Sequence, residues 1–127
     1  MAQADQALSI GILDPDPSSR SAVARLLLAH GYPSVSFASA AAYAAYMGDN
    51  DPASLVLVGV RTYLALGPAQ RTRLFADSAV VALGNEARIE DVARSLAAGC
   101  VDFLVKPVAP ALLLDVIGHA AHRAPAT

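Results

Sequence analysis

Ala98-Gly99-Cys100-Val101-Asp102-Phe103-Leu104-Val105-Lys106-Pro107 is the stretch that decides the fold. Gly99 ends whatever helix precedes it, because glycine tolerates the left-handed turn that closes a helix. Val101 to Val105 is short, apolar and β-branched at both ends, which reads as a strand. Lys106-Pro107 stops it. Upstream, Ala87 to Ala98 places Ile89, Val92, Ala93 and Leu96 on one helical face. Downstream, Pro110 to about His122 places Leu113, Val116, Ile117 and Ala120 on a face in the same way. The stretch is therefore the strand of a helix–strand–helix passage.

The same alternation runs back to the start. Strands are expected at Leu8 to Leu13, Ser34 to Phe37, Leu55 to Val60 and Ala79 to Leu83. Helices are expected from Pro17 to His30, stopped by Gly31, and from a Ser39 cap through Met47. Pro68 to Phe75 reads as a short, weak helix. Five strand–helix units imply an α/β fold with a five-stranded parallel sheet covered by helices on both faces. Right-handed crossovers narrow this to a doubly wound, flavodoxin-like sandwich. One domain over residues 1–122 is expected, with 123–127 as a tail or the start of a linker.

Composition fits one compact domain and excludes several functions. The chain has 127 residues, 55% of them apolar, and a formal charge of −2. The arginines are scattered without a basic stripe, so direct contact with nucleic acid is not expected. No apolar run approaches the ~20 residues that span a bilayer. Residues Met1 to Ala7 lack the layout of a signal peptide, which makes the cytoplasm the default location. Cys100 is the only cysteine, so no intrachain disulfide or cysteine cluster for zinc is expected.

Three segments together resemble the receiver domain of bacterial response regulators. They are Leu13-Asp14-Pro15-Asp16-Pro17, Leu55-Val56-Leu57-Val58-Gly59-Val60-Arg61, and the stretch from Ala98 to Pro107. In receivers, the crevice at the carboxyl ends of the strands carries an acidic pair and a phosphoacceptor aspartate that hold Mg²⁺. A hydroxyl residue and a lysine hold the phosphoryl oxygens. The resemblance puts Asp14 on the first acid and Pro15 on the second. It puts Gly59 on the phosphoacceptor, Gly84 on the hydroxyl residue and Lys106 on the lysine. Phe103 falls on the switch aromatic, and the resemblance implies a cis peptide before Pro107. Three of the five chemical positions, Pro15, Gly59 and Gly84, have lost the required group. The resemblance is therefore to an atypical pseudo-receiver with a degenerate phosphorylation site. No enzyme activity, metal or cofactor is expected.

The remaining polar residues have ordinary structural explanations. Lys106 is the only lysine, and pairing with Asp14 would relieve the desolvation of both. Asp16 is expected to cap the first helix rather than supply a second carboxylate. His30 suits a helix C-terminus. His119 and His122 are spaced for a shared metal, but along that helix only Asp115, one turn before His119, could join them, so a metal site is not expected there. Tyr43 and Tyr46 share a face of the second helix and are expected in core or edge packing rather than recognition, and Cys100 is expected to be a buried small hydrophobe.

A phosphorylation-independent regulatory domain acting by protein–protein contact follows from this. The resemblance implies dimerisation, or control of a fused output domain, a transcriptional one among the options, in a two-component system or phosphorelay. The face expected to act is that of the helix over 87–98, the strand over 101–105 and the helix over 110–122. The alternative is a small-molecule or nucleotide sensor, in which Gly59 and Gly84 make room in the vacated crevice.

Overall fold

The computed structural model describes the backbone of residues 8–86 and 88–123, with side chains up to residue 120. The segment Met1 to Ala7, the expected helix start at Ala87, the side chain of His122 and the tail beyond Arg123 lie outside the described residues.

Five strands form one parallel sheet: β1 (Ile10–Leu13), β2 (Ser34–Phe37), β3 (Leu55–Gly59), β4 (Ala79–Gly84) and β5 (Asp102–Val105). Their order is β2-β1-β3-β4-β5. Every neighbouring pair is parallel. Among the described residues six helices intervene or follow: α1 (Pro17–Ala29), α2 (Ala40–Met47), α3 (Val60–Ala65), α4 (Pro68–Phe75), α5 (Ile89–Ala97) and α6 (Pro110–Arg123). The expected doubly wound sandwich is the observed one. No helix among the described residues is long and apolar enough to cross a membrane.

Two apolar layers sandwich the sheet. One joins Val23 and Leu27 of α1 and Leu113, Val116, Ile117 and Ala120 of α6 to Ile12, Leu57, Val81 and Leu104. The other gathers Phe37, Tyr43, Val58, Tyr63, Phe75, Ala82 and Cys100, with Phe103 packed against it. β3 is buried throughout, as a strand covered on both faces must be.

The expected caps are present. The Asp16 carboxylate accepts from the Ser18 amide at 3.0 Å, with Pro17 opening the helix. Ser39 Oγ accepts from the Ala42 amide at 3.1 Å. His30 closes α1 with Nδ1 3.0 Å from the Leu26 carbonyl. Gly31 and Gly99 follow helix ends with φ of 88° and 116°, backbone that only glycine adopts without strain. Tyr43 and Tyr46 stack at 6.4 Å, both against Phe37.

Beyond shifts of a few residues in element bounds, such as β5 starting at Asp102 rather than Val101, two elements depart from the sequence reading. Val60 belongs to a helix rather than to the third strand, and α3 was not anticipated. Its six residues include a β-branched valine and threonine, and its cap, Gly59, has no side chain, so local preference for helix is poor. Burial decides instead. Val60 and Tyr63 are buried, and Tyr63 Oη donates to the Ala98 carbonyl at 2.7 Å.

The second departure is α5. The face shared by Ile89, Val92, Ala93 and Leu96 is largely turned to solvent, with Ile89 86% and Leu96 46% exposed. The buried residue of α5 is Ser95, whose hydroxyl is satisfied by the Asp91 carbonyl at 2.7 Å.

Candidate functional site

In an open parallel sheet the crevice lies beyond the carboxyl ends of the strands, where the strand order reverses. Here β1 sits between β2 and β3, so the reversal falls at β1. Asp14 follows β1, Gly59 ends β3, Gly84 ends β4 and Lys106 follows β5. All four line one crevice of about 270 Å³, together with Pro15, Asp16, Arg61, Thr62, Asn85 and Arg88.

Asp14 is the centre of the crevice floor and is 3% exposed. Its Oδ2 accepts from Lys106 Nζ at 2.8 Å and from Ser19 Oγ at 2.9 Å. Its Oδ1 accepts from the Asp16 amide at 3.0 Å. The backbone is held too: Arg20 Nη1 donates to the Asp14 carbonyl at 2.8 Å. Burial alone would push the Asp14 carboxyl up. The hydrogen bonds from Lys106, the Asp16 amide and Ser19, with the Lys106 charge, outweigh burial and hold it below 3.8. Asp14 and Lys106 therefore form the ion pair expected from the sequence.

Ser19 and Arg20 were missed by sequence reasoning. The signal was available: with Pro17 at the first helical position, Ser19 and Arg20 belong to the turn that sits on the end of β1.

The two glycines behave differently. A Cβ at Gly59 would lie 3.7 Å from Asp14 Cγ and Oδ1, an ordinary contact distance. The position is thus open toward the Asp14 carboxylate. A Cβ at Gly84 would lie 2.6 Å from Phe103 Cζ and 3.2 Å from Cε1. The Phe103 ring already fills that space, so Gly84 adds no room to the crevice. The Lys106–Pro107 peptide is cis.

A hard divalent cation takes six or more oxygens, mostly from carboxylates and water. The floor offers the Asp14 carboxylate, already engaged by three donors, and Pro15 and Gly59 supply none. Glu86 and Asp91 also line the crevice, but Glu86 pairs with Arg88, and no three potential ligands gather among the described residues. Asp16 directs an oxygen to the Ser18 amide. These residues do not fit a Mg²⁺ ion.

The other candidates lie apart. Cys100 is buried, and burial pushes its thiol up to about 12, which removes the thiolate. Tyr63 is likewise pushed up to about 12, first by burial and then by Cys100. His119 is exposed on α6. No group of three or more potential metal ligands gathers among the described residues.

Solved structures share this fold. A CheY-like response regulator receiver domain protein from Methanospirillum hungatei JF-1 aligns over 92% of this chain and 95% of its own, at 23% identity and a TM-score of 0.74. A response regulator from Thermotoga maritima aligns over 91% and 98%, at 18% identity and a TM-score of 0.77. A response regulator receiver domain protein from Clostridium thermocellum aligns over 91% and 95%, at 17% identity and a TM-score of 0.75. The fold is thus the CheY-like form of the flavodoxin architecture. No family model matches the chain, and no curated protein matches its sequence.

Proposed function

We propose that this chain is a receiver-like regulatory domain that signals without phosphorylation, by associating with a second copy of itself through the face of α5, β5 and α6. One observation carries the reading. α5 and α6 flank the edge strand β5, and all three elements leave large apolar side chains in solvent. Ile89 is 86% exposed, Leu112 55%, Leu96 46% and Val105 39%. Isolated exposed apolar residues are common, but several on adjoining elements mark an interaction surface.

Charge favours a second copy as the partner. α5 carries Glu90 and Asp91 in its first turn and Arg94 in its last. An α5 laid against its own two-fold mate sets acidic ends opposite basic ones. The apolar side chains supply the affinity, since exposed charge pairs contribute only ~0–1 kcal/mol each.

The crevice supports the absence of phosphoryl chemistry. The positions that resemble the second acid, the phosphoacceptor and the hydroxyl residue are Pro15, Gly59 and Gly84. The remaining acid, Asp14, is neutralised by Lys106. Intact-mass spectrometry after incubation with Mg²⁺ and acetyl phosphate tests this directly. No phosphoryl adduct is expected; a stoichiometric adduct mapped to Asp14 or Asp16 overturns the reading.

A sensor reading rests on Gly59 alone, which leaves space open toward the Asp14–Lys106 pair beside Arg61. A nucleotide or small anion bound there would raise the melting temperature by mass action. Lys106→Met would abolish that rise.

A further inference from the structure

We propose that the cleft between α4 and the end of α5 is a binding site for a small apolar monocarboxylate, whose carboxylate pairs with Arg71 while its apolar body lies between the two helices. The site sits beside the start of β4, at the opposite end of the sheet from the Asp14 crevice. It stands independently of the self-association reading.

The cleft follows from the local sequence. Gly67-Pro68 breaks the chain between α3 and α4, and the Gln70 side chain accepts from the Gly67 amide at 2.9 Å. Pro68 opens α4, which puts Arg71 one turn in. Long helical side chains lean toward the helix start, and Arg71 accordingly reaches back to α3. Its Nη1 donates to the Leu66 carbonyl, and its guanidinium carbon stands 5.5 Å from the centre of the Tyr63 ring. Across from it, α5 and its cap run out through Ala97, Ala98 and Gly99. Gly99 has a φ of 116°, and a Cβ there would lie 3.2 Å from Tyr63 Oη. These small residues leave the end of α5 unable to close over α4. A cleft of about 410 Å³ results, floored by Tyr63, Phe75 and Val80.

Its size and lining suit a small molecule: such sites run to about 300–1,000 Å³, with apolar walls and a few polar groups that fix orientation. Arg71 is the polar group in question. It is half-buried, and the ion pairs among the described residues are Arg88–Glu86 and Lys106–Asp14, so no described carboxylate neutralises it. A guanidinium carries five N–H donors, and the hydrogen bond to Leu66 engages Nη1 alone. The remaining edge fits a carboxylate, which takes two parallel hydrogen bonds from such a fork.

Electrostatics sets the charge of the ligand. Arg71 supplies one positive charge. The end of α5 brings the negative end of a helix dipole, about half an elementary charge. A dianion such as a phosphate monoester would face a single cation and that repulsion together, whereas a monoanion is matched. Burial pushes the Tyr63 hydroxyl and the Cys100 thiol up to about 12, so both stay neutral near pH 7 and add no repulsion.

Benzoate and naphthoate are the probes, titrated into isotope-labelled wild type and followed by amide NMR. Saturable shifts are expected at Thr72, Ala76, Ser78 and Gly99, with dissociation constants in the millimolar range. Benzamide, of the same shape without the charge, should bind at least about tenfold more weakly, since charge-assisted hydrogen bonds are the stronger kind. Phenyl phosphate should bind no tighter than benzoate. No saturable shift with either acid, shifts centred on the Asp14 crevice instead, or equal binding of benzamide overturns the site. Tighter binding of phenyl phosphate overturns its assignment to a monocarboxylate.

Arg71→Met should weaken benzoate binding at least about tenfold for the same reason. Arg71 also holds the Leu66 carbonyl, so a second variant, Ala76→Phe, fills the cleft and leaves Arg71 in place. It should abolish the benzoate shifts while the rest of the spectrum stays that of the wild type. Should Arg71→Met fail to fold, Ala76→Phe decides alone. Unchanged benzoate affinity in either folded variant overturns the proposal, whether the chain is a monomer or a dimer.

Discussion

α5 and α6 flank the same edge strand and both expose apolar residues, Leu112 among them on α6, but only α6 also buries an apolar face. α6 buries Leu113, Val116, Ile117 and Ala120 against the sheet. α5 buries Ser95 and leaves Ile89 and Leu96 in water. Periodicity reveals an apolar side on a helix without revealing what covers it. In α6 the cover is the chain's own core. In α5 Ile89 and Leu96 have no cover within the chain's described residues, and the proposed cover is a second copy.

Substitution separates the two helices most widely. Ile117→Ala should destabilise the fold by about 2–5 kcal/mol, the cost of a buried large-to-small change. Ile89→Ala should leave monomer stability within about 0.5 kcal/mol while weakening association. Urea denaturation at low protein concentration, compared with sedimentation, checks both. A large loss of stability from Ile89→Ala would mean that α5 is covered within the monomer.

The crevice pair comes next in size. Lys106→Met leaves the buried Asp14 carboxylate without its cation. Removing one partner of a buried pair costs about 3–5 kcal/mol, and the 20% exposure of the Lys106 side chain lowers the expected loss to about 2–4 kcal/mol. Chemical denaturation measures it. A loss below about 1 kcal/mol would assign the pair to the solvated class.

The same pair sets a pH dependence. Asp14 titrates lower in the folded chain than in the unfolded one, where its value is 3.8. Its contribution is therefore full above 3.8 and is lost as pH falls through the lower folded value. The stability gap between wild type and Asp14→Asn should be constant near neutrality and close below pH 3.8. A gap that closes nearer neutrality would contradict the lowered folded value. The smallest effect is expected from Arg94→Glu, which should weaken association by at most ~1 kcal/mol per contact and leave denaturation unchanged.

Much of this was legible in the sequence. Strand positions, the sheet type and the meeting of Asp14, Gly59, Gly84 and Lys106 followed from alternation and from the glycine and proline stops. The Asp14–Lys106 pair followed from counting the charges left in the crevice. α3 was not legible, because tertiary burial of Val60 and Tyr63 overrides weak local preference. The direction of the α5 face was not legible either, since Ser95 looked polar and turned out to be buried and bonded to Asp91. Gly84 was misread as added room, because no sequence pattern shows that a ring two strand positions away has taken the space.

Sedimentation velocity of the wild type over a wide concentration range, with and without Mg²⁺ and acetyl phosphate, decides whether the domain associates without phosphorylation. A reversible dimer is expected, with the same affinity in both conditions and lost in Ile89→Glu. A strictly monomeric wild type, or a dimer that forms only with acetyl phosphate, would contradict it.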